Sequence, residues 1–297
     1  MTDHGRKPFR WANDLNRLAA AALGDGRFPL PIELMATDYS RQVFPDSPIV
    51  SIAGRPLGKF EGALYPVDCG WAIIYNSAVS EGRKRFTIAH EFGHYLMHRT
   101  LFPTGFECSE EAVTFRNGTD LESEADTFAA SLLMPLDDFR ARLSPTVVPS
   151  LDDLGTLADH YGVSLISCVL RWLEYTERRS LLVLARDDFV LWSRSSEPAL
   201  KTRLYMRTRN GPPIGVPESS LMRRKDLADI AREGVQHPPG VWFDEDCTEL
   251  TIHSDRYDQV ISVLLFGSAP PRALLDAEVE DDTLDRFGQR ARGRSGD

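Results

Sequence analysis

Three of the seven histidines fall in one short run, His90-Glu91-Phe92-Gly93-His94-Tyr95-Leu96-Met97-His98. On a helix, residues four apart lie one turn above each other on the same face, so His90 and His94 can reach a single cation. In an H-E-x-x-H arrangement the two neutral imidazoles hold Zn2+. The intervening glutamate, here Glu91, takes a proton from a water whose pKa the metal lowers to roughly 7. Gly93 adds a second signal: glycine inside a helix costs about 1 kcal/mol relative to alanine, so something must approach the helix closely there. The competing reading, two ordinary helix histidines satisfied by backbone or water, leaves that glycine unexplained.

A catalytic zinc takes three protein ligands and keeps one position open. The third ligand is sought in the periodic stretch Asp120 to Met134, which Pro135 should end. At about 100° per residue, Glu122, Ala125, Asp126, Ala129, Leu132 and Leu133 share one face; Ser123, Glu124, Thr127 and Ser131 share the opposite one. Carboxylates among alanines and leucines are costly unless paired or metal-bound. Glu122 therefore reads as the third ligand. Asp126, one turn on, reads as the acceptor that orients a ligand histidine through its other ring nitrogen. Glu124 stays open as an alternative ligand because helix ends shift by a residue or two. His98 continues the histidine stripe, but each step drifts by ~40° around the helix, so it is expected to line the cleft or pack nearby. The extended metzincin pattern would need Gly and His where Met97 and Thr100 stand.

These residues need a frame. Helical spacing predicts helices over Pro8 to Gly24 and Pro31 to Tyr39, and a helix capped by Ser80 and running to about His98. Pro48 to Gly54, Phe60 to Val67 and Trp71 to Ser77 read as strands between Gly, Pro and Asp punctuation, and Thr100 to Gly118 as a loop. The Ser144 to Pro149 stretch is a linker, followed over Leu151 to Tyr175 by helix, Gly turn, helix. Beyond it, Ser180 to Ala185, Phe189 to Ser193, Thr248 to His253 and Gln259 to Phe266 read as strands around a helix near Ser219 to Glu233. The densely charged tail from Asp276 reads as disordered.

Composition bounds the partners. The chain of 297 residues has a formal charge of −10, the wrong sign for coating nucleic acid through a bulk field. The cysteines Cys69, Cys108, Cys168 and Cys247 are widely separated, which argues against a disulfide framework and fits a reducing compartment. Without a secretory-type apolar segment after Arg10, or an apolar run near the ~18 residues that span a bilayer, a cytoplasmic protein with no membrane association is expected. Within Leu151 to Tyr175, Ala158, Gly162 and Val163 look like a helix-turn-helix core, yet its second helix offers only Arg171 as a basic group. Packing or docking is the favoured role, and direct DNA binding is doubtful. The Arg207-Arg209 and Arg223-Arg224-Lys225 clusters read as solvated faces.

Three blocks in order, W-A-I-I-Y-N-S (71 to 77), R-F-T-I-A-H-E-F-G-H (85 to 94) and E-S-E-A-D-T-F-A-A-S-L-L-M-P (122 to 135), resemble the ImmA/IrrE family of metallopeptidases. The resemblance covers about Phe9 to Tyr175. It implies an α+β chain with a zincin-like metallopeptidase domain (1–143), a helix-turn-helix-like helical module (144–179), a mixed α/β GAF-like sensor domain (180–275) and a tail (276–297). It implies a gluzincin-like endopeptidase with His90, His94 and Glu122 on the metal and Glu91 as base. The substrate would be a helix-turn-helix transcriptional repressor whose cleavage induces a stress response to radiation or DNA damage. A small-molecule signal for the C-terminal domain is also implied. Asp126 stands where many relatives carry asparagine; either side chain accepts a hydrogen bond from imidazole.

Peptidases of this kind hold substrate as an added strand, and Trp71, Ala72, Ile73, Ile74 and Tyr75 are expected to form that edge. A second oxyanion donor is expected among Tyr75, Tyr95 and His98, with the choice open. His/His/Glu ligation suits Zn2+, although Mn2+ or Fe2+ can fill similar shells. The alternative function is a non-proteolytic DNA-binding transcription regulator with a structural or vestigial metal site. A structural site would close its shell with four ligands and need no base, so Glu91 favours the enzyme.

Overall fold

The computed structural model describes residues 6–57, 60–109, 119–208, 211–254 and 258–268. The chain divides into two compact units, one of Met1–Phe139 with Leu157–Ser164, the other of Arg140–Thr156 with Leu165–Asp297. The tail from Asp276 lies outside the described residues.

The first unit opens with helix α1 (Pro8–Leu23), whose proline sits at the first turn and whose buried stripe is Trp11, Ala12, Leu15 and Ala19. Helix α2 (Ile32–Val43) follows and runs one turn past its expected end. Three strands come next: β1 (Ile49–Arg55), β2 (Phe60–Val67) and β3 (Gly70–Asn76). Helix α3 (Glu81–His98) carries the histidines, and the Ser80 side chain caps it by accepting from the Arg83 amide at 3.4 Å. Strand β4 (Phe106–Ser109) lies in what the sequence reads as loop. Helix α4 (Thr119–Leu133) follows, then the short α5 (Leu136–Arg142).

The sheet order is β1-β3-β2-β4, with β1 parallel to β3 and the other pairs antiparallel. This corrects the expectation for Trp71 to Tyr75. That strand is interior, with β1 on one side and β2 on the other, so its backbone groups are already paired and it cannot accept a substrate strand. Among the described residues the outer strands are β1 and β4.

Helix α3 is anchored near its start. The Arg85 guanidinium donates to the Leu30 carbonyl at 2.6 Å and to the Gly162 carbonyl at 3.0 Å. Gly162, at φ +65°, closes helix α6 (Leu151–Tyr161), and a Cβ there would meet Arg85 Nε at 2.8 Å. Helix α7 (Leu165–Leu173) then begins, each of its residues at least partly buried; Arg171 is buried and paired with Glu174.

The second unit is built on a five-stranded antiparallel sheet of order β6-β5-β9-β8-β7: β5 (Ser180–Arg186), β6 (Phe189–Ser195), β7 (Val235–His237), β8 (Cys247–Ser254) and β9 (Gln259–Phe266). Its core includes Leu181, Val183, Val190, Leu204 and Leu264. A short helix α8 (Glu197–Lys201) and strand β7 were not foreseen. The helix expected over Ser219 to Glu233 is instead two single turns, Leu221–Arg223 and Lys225–Leu227, followed by α9 (Ala228–Glu233). At the start of this segment the fully buried Glu249 carboxylate accepts from Ser220 Oγ at 2.8 Å and from the Leu221 amide at 3.2 Å, a first-turn donor with no partner inside its own helix. Cys69, Cys168 and Cys247 are free thiols. No helix among the described residues is long and apolar enough to cross a membrane.

Candidate metal centre

Two turns inside α3, the His90 and His94 rings project together, with their Nε2 atoms 3.0 Å apart. Glu122 arrives from α4, placing Oε2 at 3.2 Å from His90 Nε2 and Oε1 at 3.4 Å from His94 Nε2. Each imidazole nitrogen thus faces one of the two Glu122 oxygens, and one ligand atom from each of the three residues lies within 4.8 Å of the others, close enough for all three to reach one ion. The donor chemistry fits as well, with two imidazoles and one carboxylate. These three form the cluster able to hold an ion among the described residues. A divalent cation would sit on His90, His94 and Glu122.

Their meeting depends on how closely the helices pack. A Cβ on Gly93 would lie 2.9 Å from Phe128 Cδ1 and 3.4 Å from the Ala125 Cα, so the missing side chain lets α4 come against α3. That is the close approach Gly93 signals in the sequence. The predicted inner face of α4 holds for Ala125, Ala129, Leu132 and Leu133, all buried. Phe128 and Ser131 are buried too. On the Ser131 side, Asn16 of α1 donates to the Ser131 carbonyl at 3.2 Å, so α4 is covered on more than one face.

Electrostatics prepare the donors. Burial pushes His94 down to about 4, aided by the neighbouring His90 and His98 and opposed by Glu122, which keeps its imidazole neutral and able to ligate. Burial raises the Glu122 carboxyl, but hydrogen bonds from His90 and His94 outweigh it and hold the group below the ordinary carboxylate range. Asp126 Oδ1 stands 2.8 Å from His90 Nδ1, where it can accept that ring's proton. Glu124, the alternative ligand, points elsewhere: its Oε2 lies 2.9 Å from His98 Nε2.

Glu91 is fully buried beside the ligand pair. Strand β2 passes over it so closely that a Cβ on Gly62 would fall 2.6 Å from Glu91 Oε1 and 2.4 Å from the Thr87 methyl carbon. Gly62 is thus a residue of the site that the sequence reading passed over. A glycine inside a strand marks close backbone approach, and that signal was available.

The three expected oxyanion donors fare differently. Tyr95 is fully buried and its hydroxyl donates to the Ser47 carbonyl at 2.8 Å, with burial raising its pKa to about 12. Both ring nitrogens of His98 are engaged, by His94 Nδ1 at 3.0 Å and by Glu124. Tyr95 and His98 are thus each engaged by a partner within the protein. The Tyr75 ring lies against Gly54 and within 5.1 Å of Lys84 Nζ. Across the sheet Tyr75 pairs with Gly62, the residue of β2 that passes over Glu91.

Paired helix histidines and an acid from a second helix as metal donors, with a glutamate between the histidines as base, form the arrangement that metallopeptidases use. Residues 46–173, which contain all four groups, match the Peptidase_M78 family model, the IrrE N-terminal-like domain. No curated protein matches the chain at a significant level. Among solved structures the chain is similar to a Mycobacterium tuberculosis transcriptional regulator. The identity is 14% and the TM-score 0.49, covering 87% of this chain and 80% of that one. So distant a likeness carries nothing about activity.

Proposed function

We propose that the protein is a zinc-dependent site-specific endopeptidase that acts in the cytoplasm. Its substrate is a helix-turn-helix transcriptional repressor, and cleavage induces a stress response to radiation or DNA damage. The observation that carries the reading is the convergence of His90, His94 and Glu122, with one ligand atom of each within 4.8 Å of the others and Glu91 on the same helix as the histidines. When bound, the divalent cation supplies Lewis-acid chemistry, polarising the scissile carbonyl and acidifying water. Glu91 accepts the proton from the attacking water at its carboxylate and delivers it to the leaving amine nitrogen. Burial beneath β2 excludes bulk water from this transfer. Asp126 holds the His90 ring through Nδ1.

With β3 closed on both sides, the substrate chain is assigned to the outer edge of β4. Gly62 pairs with Cys108 of β4 in the sheet register, so β4 runs beside the point where β2 crosses Glu91. An extended peptide added there gains main-chain hydrogen bonds. The GAF-like sensor reading is kept for the second unit, where a cavity of about 280 Å3 is lined by Arg186, Arg223, Lys225, His253, Asp188 and Asp258, among others. A small polar signal molecule would suit that lining. The buried, paired Arg171 does not favour the DNA-binding alternative.

The test is incubation of the purified protein with candidate repressors, with and without chelator and metal add-back, and mass spectrometry of the fragments. Glu91→Gln is expected to keep the fold and the metal but lose cleavage. Cleavage by Glu91→Gln at the normal rate would refute the assignment of the base.

A further inference from the structure

We propose that His98 and Glu124 form a relay that positions the metal ligand His94, an inference that rests on the metallopeptidase reading above. A histidine that ligates through Nε2 carries its proton on Nδ1 and must give it to an acceptor, which fixes the tautomer and the ring plane. The two ligand histidines solve this differently. His90 meets a carboxylate directly, Asp126, at 2.8 Å. His94 has another imidazole in that place, with His98 Nδ1 at 3.0 Å.

An imidazole can accept at Nδ1 only if its proton sits on Nε2. His98 Nε2 indeed faces an acceptor, Glu124 Oε2 at 2.9 Å. With a cation held on His94 Nε2, the order of protons would follow along the whole chain: His94 Nδ1 donates to His98, and His98 Nε2 donates to Glu124. The His94 and His98 side chains are 0% and 2% exposed, so water cannot replace either link. Glu124, with 48% of its side chain exposed, is the end of the chain that solvent reaches. His98 thus holds its ligand at one remove, with Glu124 fixing its own tautomer.

The experiment measures the zinc dissociation constant of the full-length protein by competition with a chromophoric chelator. His98→Phe fills the space without an acceptor and is expected to weaken zinc binding roughly ten- to a hundredfold, the usual cost of losing such a partner. Glu124→Ala, at a half-exposed position that should not disturb folding, is expected to weaken it as well. In the His98→Phe background Glu124→Ala should add nothing, because it acts only through His98. Nitrogen-15 spectra of the imidazoles should show His98 protonated at Nε2 in the wild type, and that tautomer lost in Glu124→Ala. Zinc binding unchanged in both single variants, or losses that add in the double variant, would overturn the relay. A wild-type protein that takes up no zinc would overturn both the relay and the reading beneath it, and the same titration distinguishes the two failures.

Discussion

Replacing Gly93 by alanine sets two effects of known size against each other. Alanine inside a helix is favoured over glycine by about 1 kcal/mol. Against this, the new methyl carbon would stand 2.9 Å from Phe128 Cδ1 and 3.3 Å from its Cγ. Carbon atoms rest about 3.5–4.0 Å apart, so the ring must retreat by roughly 0.6–1 Å. It has little room, being fully buried with Phe92 against it at a centroid distance of 5.8 Å. Overpacking of this kind costs about 1–3 kcal/mol, so the substitution should destabilise by up to about 2 kcal/mol net. The larger effect falls on the metal. If α4 yields, Glu122 moves with it, and metal sites tolerate only about ±0.2 Å in ligand distance. Zinc affinity should fall at least about tenfold. Urea unfolding of the metal-free protein and chelator competition read the two quantities separately. Adding Phe128→Leu, which removes the obstructing ring edge, should recover much of the affinity. If Gly93→Ala instead gained about 1 kcal/mol and bound zinc normally, the argument that this contact sets the position of Glu122 would be wrong.

Gly62→Ala drives a methyl group into Glu91 and Thr87, so steady-state peptide cleavage should drop at least about tenfold while zinc affinity stays near the wild-type value. Unchanged cleavage would mean that Glu91 is not confined as described. In the metal-free protein, folded His94 resists protonation down to about 4, whereas an unfolded imidazole takes a proton near 6.5. Its contribution to stability is therefore complete above pH 6.5 and fades as the pH falls to 4, by roughly 3 kcal/mol. The lowered Glu122 acts in the same direction at still lower pH. Denaturation profiles that stay flat from pH 7 to 4 would contradict this. Zinc at about a hundred times its dissociation constant should stabilise the protein by ~2.7 kcal/mol, seen as a rise in Tm that chelator reverses and Glu122→Ala abolishes.

The histidine pair was legible because its meaning is local: a spacing of four on a helix places two rings on one face whatever surrounds them. Gly93 was legible as a point of close approach, but the partner, Phe128, was not, since it comes from a segment 35 positions on. The choice between Glu122 and Glu124 could be ranked from helical phase but needed the crossing of α3 and α4 to become a distance. Strand pairing was the least accessible level. Trp71 to Tyr75 reads correctly as a strand, yet nothing in its own residues says that β1 returns to pair on its far side. Strand β4, with four residues, is too short to show a period. In the second unit the start of the segment Ser219 to Glu233 is bonded to Glu249, a carboxylate some 28 positions away whose burial no local pattern announces. His98 was noticed, but its bond to Glu124 joins two helices whose crossing the sequence does not give.

The two hydrogen bonds from Arg85 bear on how this protein can be taken apart. The carbonyl of Gly162 belongs to a stretch that follows the Ser144 to Pro149 linker, yet it grips the same helix that bears the histidines. A fragment ended at that linker would strip the guanidinium of one acceptor and uncover the patch where Gly82 lies against Val163. Anyone seeking a minimal catalytic piece should carry the chain through Ser164 at least; shorter versions would lose activity by loosening the helix from behind, with every chemical group still in place.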